Sequence, residues 1–437
     1  MLVPSDSVTA ATRAVVSRLL QMRQLWDDTA DSYFEPERFQ MNLQNCITVS
    51  RTVTFILQSN KSTIHDFENW YAAHQEMWRK DPIMVWVKEA RNAIEKRGDL
   101  ETHSQVRAMI VAAYLDGPET QWLRQALFAS PYQIYRSVPK KYLIPHVLEN
   151  GTLLVERRWI DSGLPDMEVL EALAHVYSQL AEMVVSLLGH THLSVPQELT
   201  NTKPDAMGAL AMDRAMYLSM RDGSPCGFRF FQKSLSMRKP EVQRISARYG
   251  VAAKWKNLRN AKSFRAVAEA FFESARAVLL RDGHHKSFGF FLQGIVVTRI
   301  IQTDHPDRAS RYVLMRDLAR LARIENCDGV LMIGEAWTAH GDDIPKSGFA
   351  VDAENRGEAL VLNAANSRGE AFTLEAAFER RRMNSKKIKV IKKTIFEDGG
   401  FLFMLYPFMK EWGCVDEAKM IQVLEKMEEA GIEAPRI

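Results

Sequence analysis

An arginine and an asparagine stand side by side at positions 91 and 92, in a stretch (81–100) that reads DPIMVWVKEARNAIEKRGDL. A guanidinium group next to an amide is well suited to bind phosphate oxygens. At about 100° per residue, four apolar side chains fall within one sector of a helix, which we expect to be buried: Ile83, Val87, Ala90 and Ile94. Arg91 and Arg97 lie just outside opposite edges of that sector. Both could therefore reach an interface while their stems cover apolar surface.

With these residues, the N-terminal part of the chain (roughly 12–190) resembles the HEPN superfamily, helical-bundle domains of toxins, defence systems and CRISPR-associated RNases. The motif of that family is R-x(4–6)-H, commonly beginning Arg-Asn. The resemblance implies a homodimer in which the arginine and the histidine form a composite RNase site. There the two residues hold the scissile phosphate and move a proton. Arg91 and Asn92 match the start of the motif.

The histidine of the motif is missing from this chain. Its possible positions hold Lys96, Arg97 and Gly98, and the next histidine, His103, follows the end of the helix. Lysine and arginine bind phosphate, but their pKa values lie too far above neutrality for general acid–base work. The resemblance thus implies a catalytically inactive copy, retained for dimerisation and for contact with RNA or a protein. A purely structural role for Arg91 and Asn92 is the alternative.

A second basic feature lies near the C-terminus. Eight cations occur within fourteen residues, with no acidic residue among them: Arg380, Arg381, Arg382, Lys386, Lys387, Lys389, Lys392 and Lys393. Such a cluster favours contact with a phosphate backbone. No aromatic residue is interleaved, so stacking on bases is not indicated. A solvated face or a mobile linker explains the run equally well.

Acidic and imidazole groups gather in a third region. Glu335 lies within an apolar strand-like segment, and His340 and Asp343 follow it. These three could form a metal or enzyme site, but no H-E-x-x-H spacing supports one. An ion pair between Glu335 and Arg299 across a sheet is the preferred interpretation. Walker, dinucleotide-binding and G-x-S-x-G motifs are absent from the sequence, and we predict no catalytic residue, no metal and no cofactor.

The amino-acid composition is typical of a globular protein. The 437 residues are 46% hydrophobic and 25% charged, with a net charge of +3, as in an ordinary globular protein. The four cysteines are widely separated, which argues against a zinc ribbon or a disulfide framework. We find neither a signal peptide nor an apolar stretch near the roughly 20 residues of a membrane helix. The cytoplasm and no membrane contact are therefore expected.

Periodicity then predicts the elements that position these residues. Helices are expected up to about residue 100 and again over 167–189, with Asp81-Pro82 opening the Arg-Asn helix and Gly98-Asp99 closing it. Segments 106–115 and 153–160 are candidate strands. After about 255 the order is helix, strand (288–301), helix (306–324), strand (329–337) and a hairpin of two strands (358–365 and 370–378) around residues 366–369.

These elements predict an α+β protein. We expect a helical, HEPN-like domain (1–190), a connector (191–254), an α+β domain with a sheet of about four strands (255–400) and a helical tail (401–437). The leading functional hypothesis is a non-catalytic, HEPN-like homodimer that contacts RNA or a protein partner, in a setting of bacterial defence or of a toxin-antitoxin system. An enzyme with a site near Glu335, His340 and Asp343 is the second hypothesis, and a structural protein-interaction module is the third.

Overall fold

The chain folds into two compact units of mixed helix and sheet, in keeping with the α+β class. The computed structural model describes residues 6–117, 128–200, 214–226, 244, 247–249, 261–305, 307–381, 387–398 and 401–432. The first unit comprises Met1–Met109, Glu119–Lys140 and Leu153–Leu218. The second comprises Ile110–Pro118, Lys141–Thr152 and Ser219–Ile437. The units are thus built from alternating segments, whereas the expected domains follow one another along the chain.

The described helices have the following bounds: α1 (Asp6–Asp31), α2 (Pro36–Ser59), α3 (Phe67–Lys80), α4 (Pro82–Arg97), α5 (Pro131–Arg136), α6 (Pro145–Asn150), α7 (Val169–His190), α8 (Gln197–Thr200), α9 (Phe264–Asp282), α10 (Arg308–Ile324), α11 (Tyr406–Glu411) and α12 (Glu417–Glu429). In the first unit, α1, α2, α3, α4 and α7 bury their apolar sides in one core. Trp26 of α1 donates a hydrogen bond from Nε1 to the Leu170 carbonyl of α7 at 3.0 Å. The helical segments predicted for this part of the chain are present.

Helix α4 carries Arg91 and Asn92, and its ends are those that the sequence predicts. The Asp81 carboxylate accepts hydrogen bonds from the backbone N–H groups of Ile83 and Met84, which satisfies two of the unpaired donors of the first turn. Gly98 ends the helix at φ 90°, a conformation that glycine adopts without strain. Of the four residues expected to be buried, Val87 and Ala90 are buried, and Ile83 and Ile94 are partly buried against the same core.

The first sheet has three strands in the order β1 (Thr102–Val111), β2 (Thr152–Asp161) and β3 (Ala215–Ser219). The first two correspond to the candidate strands at 106–115 and 153–160. The third lies in the segment that we expected to be a connector. Its five residues are too short a run for periodicity to identify.

The second unit is built on a seven-stranded sheet. Its strands are β4 (Phe288–Gln293), β5 (Val296–Gln302), β6 (Gly329–Thr338), β7 (Gly357–Asn366), β8 (Ala371–Arg380), β9 (Ile388–Ile391) and β10 (Ile395–Asp398). Their order is β10-β8-β7-β6-β4-β5, and β9 pairs with β8 beside β10. The described pairs are antiparallel.

The two faces of this sheet are covered by different helices. Because neighbouring strand residues point to opposite faces, Phe290 and Phe291 enter two separate cores. The Phe290 face packs against α9, whose Phe272 is buried there. The Phe291 face packs against α10 and α11, with Phe408 of α11 fully buried. The described part of the expected tail therefore contributes to the core of the second unit.

The prediction of about four strands in this sheet is wrong. Gly294, at φ 62°, makes a turn that divides the expected strand 288–301 into β4 and β5. Strands β9 and β10 arise in and just after the basic run, where we expected no strand. Both are four residues long, so the register of β8, rather than their own pattern, defines them.

Among the described residues, α7 has the length and mean hydropathy of a membrane span. We expected no such stretch, because Glu171, His175 and Glu182 interrupt the apolar run. In the structure, 56% of its apolar window is buried within the protein. Its leucines, among them Leu173 and Leu187, belong to the core of the first unit. Packing in this core therefore accounts for the apolar character of α7.

Candidate functional site

A groove in the first unit brings the Arg-Asn pair together with other cations. It has a volume of about 450 Å³ and lies among α2, α3, α4 and α7. Its polar and charged lining residues are Ser50, Arg51, Thr54, Gln58, Gln75, Arg79, Lys88, Glu89, Arg91 and Asn92. We call this surface the basic groove, because it contains four cationic side chains and one acidic one. Sequence reasoning identified Arg91 and Asn92 but missed the contributions of α2 and α3.

The cations of the basic groove differ in how firmly they are held. Arg51 donates to the Thr54 hydroxyl at 2.7 Å, and Arg79 lies 3.4 Å from Glu76 on its own helix. Lys88 is exposed. Pairs between exposed side chains are worth less than about 1 kcal/mol. These side chains are therefore available to bind an anion at little cost.

Arg91 has a partner within its own helix. Its Nη2 lies 2.5 Å from Glu95 Oε1, and its Nη1 donates to Asn92 Oδ1 at 3.2 Å. The buried Nε has no hydrogen-bond partner among the described residues. Pairing with Glu95 is the contact that a structural role predicts. The unused Nε donor is what a ligand in the groove would satisfy.

The remaining residues of the expected motif lie outside the groove. Arg97 is exposed in the last turn of α4 and does not line the groove. His103 lies on β1, where its Nε2 is 2.8 Å from the Ser162 hydroxyl. The described residues therefore place no imidazole beside Arg91 in the groove.

Comparison with known proteins defines the family. A family model described as bacteriophage lambda protein ea47 matches residues 6–426. The chain belongs to the Ea47 family. Protein ea47 of Escherichia phage lambda is 30% identical over 326 residues, which cover 73% of this chain and 78% of the lambda protein. No solved structure matches the chain.

The basic run of this Ea47-family chain is only partly exposed. Arg380 is held inside the second unit, where its Nη2 lies 2.5 Å from Glu335 Oε2 and its Nε 2.9 Å from Glu358 Oε2. It is therefore unsuited to the RNA contact that we predicted. Arg382 and Lys386 lie outside the described residues. The other cations are exposed on or next to β9: Arg381, Lys387, Lys389, Lys392 and Lys393.

The lysines of β9 have a structural explanation of their own. No described strand pairs with the outer edge of β9, and its Val390 is 44% exposed. Lysines on such an edge discourage pairing with the edge of another molecule. We predict that K389V together with K392V causes concentration-dependent association, measured by light scattering. The control is K419V on the exposed side of α12. A double variant that stays as dispersed as the K419V protein would contradict this role.

The structure does not bring together Glu335, His340 and Asp343, the residues of the alternative enzyme or metal site, and it does not form the preferred pair between Glu335 and Arg299. Glu335 pairs with Arg380 and not with Arg299, which instead forms an ion pair with Glu325. His340 lies 3.7 Å from Glu375, and Asp343 accepts a hydrogen bond from Asn355 at 3.0 Å. The described residues contain no cluster of three potential metal ligands. Glu335, His340 and Asp343 thus have three different partners, and the described geometry does not join them in one site.

A buried polar cluster in the first unit was missed by the sequence analysis. Glu168 is 1% exposed and caps α7, with Oε2 accepting hydrogen bonds from the N–H groups of Leu170 and Glu171. Tyr33 donates to its other oxygen at 3.4 Å, and Arg214 lies 4.0 Å away. Burial raises the pKa of Glu168 to about 7, although the Arg214 charge opposes the rise. A glutamate just before an apolar helix is common in proteins. The sequence around Glu168 therefore gave no indication that its side chain would be buried.

Proposed function

We propose that this protein is a non-catalytic, HEPN-like RNA-binding protein that contacts phosphate groups through the basic groove. The observation that carries the proposal is the collection of Arg51, Arg79, Lys88 and Arg91 in one groove whose lining includes one acid, Glu89. Glu95 and Glu76, which pair with Arg91 and Arg79, lie outside that lining. Four cations from three helices fit a phosphate backbone better than they fit a single small anion. The amides of Gln58, Gln75 and Asn92 add neutral hydrogen-bond donors for sugar and phosphate oxygens.

Helix α4 lacks a histidine that could act as a general acid or base beside Arg91. Lys96, Arg97 and Gly98 occupy the positions where the HEPN motif has its histidine. A protonated lysine or arginine stabilises a phosphate but cannot exchange a proton with the 2′-hydroxyl near neutral pH. We therefore expect the groove to bind RNA without cleaving it.

The homodimer, the defence setting and the cytoplasmic location are further parts of this proposal. The first two come from the HEPN resemblance, and the location is supported by the burial of α7 in the core of the first unit. A protein partner is the second candidate ligand, favoured by a specific feature of α2. Phe55, one turn after Arg51 of the groove, is 61% exposed, and aromatic side chains are frequent anchors in protein interfaces.

The test of RNA binding is a titration of single-stranded RNA at several salt concentrations, followed by fluorescence anisotropy. We predict that R51E together with K88E raises Kd about tenfold or more and lowers the salt slope by about 1.4, at about 0.7 for each phosphate that is no longer neutralised. The matched control is R13E, because Arg13 is exposed on α1 outside the groove. The wild-type protein should leave the RNA intact.

Two outcomes would end the proposal. One is an affinity that does not depend on salt, and the other is a double variant that binds as tightly as R13E. A second double variant, K387E with K389E, asks whether the β9 lysines also contribute. The affinity of this variant for RNA should fall less than that of the groove variant, because the lysines on and next to β9 are explained by protection of the sheet edge.

A further inference from the structure

The second unit contains a cavity of about 860 Å³ that the proposed RNA contact does not use. It is lined by β6 and β7, by the first turns of α10 and by the segment 348–351. Sites for small molecules commonly have volumes of roughly 300–1,000 Å³. The cavity is therefore large enough for a compact organic molecule.

Most charged side chains of this cavity are already paired. Glu335 and Glu358 both accept hydrogen bonds from Arg380. Arg308 lies 3.4 Å from Asp352 and stacks over the Phe349 ring at 3.6 Å. Asp307 caps α10, since its carboxylate accepts the N–H of Ser310 at 2.7 Å. Each of these charged groups therefore already has a hydrogen-bond or ion-pair partner within the protein.

Arg311 is the exception among the described charged residues of the cavity. Its Nε is buried without a hydrogen-bond partner, and its guanidinium carries no ion pair to a described residue. Its Cζ lies over the Tyr114 ring, 5.7 Å from the ring centroid. A buried cationic donor without an acceptor is costly, and an anionic acceptor relieves most of that cost.

His305 adds a second unused group to the same end of the cavity. Its Nδ1 is buried and has no partner among the described residues. Burial lowers the pKa of His305, and the nearby charge of Arg311 lowers it further. A neutral imidazole can donate one hydrogen bond to an anion beside Arg311.

The rest of the lining is apolar and aromatic. Leu314 and Met315 of α10 and Met332 of β6 form one part of the wall, and Trp337 and Phe349 form another. Trp337 is 45% exposed and lies under the Arg356 guanidinium. Such a wall suits a ring or a short hydrocarbon body, with its charge at the Arg311 end.

We propose that this cavity binds a small organic anion, with its carboxylate or phosphate on Arg311 and His305 and its apolar body against Met315 and Met332. This site is separate from the basic groove and does not depend on the RNA-binding proposal. A carboxylate and a phosphate satisfy the same donors, so the probes distinguish them.

The test is isothermal titration calorimetry of the full-length protein with phenyl phosphate and with benzoate. At least one should bind saturably at a single site, and the tighter of the two identifies the preferred anion. Benzyl alcohol, which has the ring without the charge, should bind at least tenfold more weakly. R311Q should raise Kd roughly 10- to 100-fold. R323Q, on the same helix but 64% exposed and outside the cavity, should leave Kd unchanged.

A second variant keeps the test decisive if R311Q does not fold. A336F places a ring into the cavity from an exposed position on β6 and should abolish binding of both anions. The proposal is overturned if neither anion binds, if benzyl alcohol binds as tightly, or if R311Q and A336F both retain wild-type affinity.

Discussion

Replacing Asp116 with alanine is expected to lower the free energy of unfolding of the second unit by about 3 kcal/mol. The Asp116 carboxylate accepts hydrogen bonds from Arg316 Nη1 at 2.9 Å, from the Tyr406 hydroxyl at 3.0 Å and from Lys410. These donors belong to α10 and α11. One carboxylate thus joins the segment 110–117 to two helices of the same unit.

The size of the effect follows from the groups that would remain. The side chain of Arg316 is only 10% exposed, so D116A leaves a mostly buried guanidinium without its carboxylate. Removing one partner of a buried pair costs more than the net stabilisation that the pair provides. Burial alone would raise the pKa of Asp116, but hydrogen bonds from Lys410 and Arg316 outweigh it and lower the pKa. The folded state therefore favours the ionised carboxylate.

The measurement is urea unfolding at pH 7, with hydrogen exchange of α10 to assign the destabilisation to the second unit. The control is D352A, which removes a carboxylate with 45% exposure that pairs with Arg308 and should cost less than about 1 kcal/mol. The double variant D116L/R316M removes both charges and should recover part of the stability. Equal stability of D116A and D352A would show that Asp116 is not a structural anchor.

A second large effect is expected from Glu168, and it depends on pH. Because burial raises its pKa from 4.5 to about 7, the folded protein retains a proton between these values that the unfolded chain releases. Its contribution to stability is fully present below about pH 4.5 and is lost as pH rises through 7. The total change is about 3 kcal/mol, at 1.36 kcal/mol for each pKa unit.

The variant E168Q removes this dependence. The glutamine carbonyl can still accept the N–H of Leu170, so the cap of α7 is retained while the titration is abolished. Relative to the wild type, E168Q should therefore be about 3 kcal/mol more stable at pH 8 than it is at pH 4.5.

The experiment compares the free energies of unfolding of both proteins at pH 4.5 and 8, so that the other titrating groups cancel. E171Q is the control, because Glu171 follows on the same helix and contacts Arg214 but has a side chain that is 36% exposed. Because E171Q retains Glu168, it should lose nearly as much stability between pH 4.5 and 8 as the wild type does. Parallel pH profiles for E168Q and the wild type would mean that folding does not raise the pKa of Glu168.

Several local features could be predicted because short-range interactions determine them. The limits of α4 follow from Asp81, Pro82 and Gly98, each of which acts on the backbone within a few residues. The hairpin between β7 and β8 turns at residues 366–369, as expected, with Gly369 at φ 83°. Long amphipathic helices such as α7 were also predicted, since their pattern repeats over several turns.

Features that depend on distant partners could not be predicted. The alternation of residues along β6 indicates on which face of the sheet the Glu335 side chain lies. It does not indicate which cation on another strand pairs with Glu335. Arg380 can pair with Glu335 only because β7 lies between β6 and β8 and brings these two strands near one another. Arg299 was a plausible partner only while β4 and β5 were treated as one strand. The turn at Gly294, which was not predicted, places Arg299 on β5, and β5 pairs with β4 rather than with β6.

The amino-acid order was enough to show where the helix of Arg91 begins and ends, which of its sides is buried and that no histidine follows within the same helix. Folding was needed to show that Arg91 pairs with Glu95 and shares a groove with Arg51, Arg79 and Lys88. Helix limits and buried stripes come from interactions within one or two turns, whereas a groove exists only after separate helices have packed around a common core.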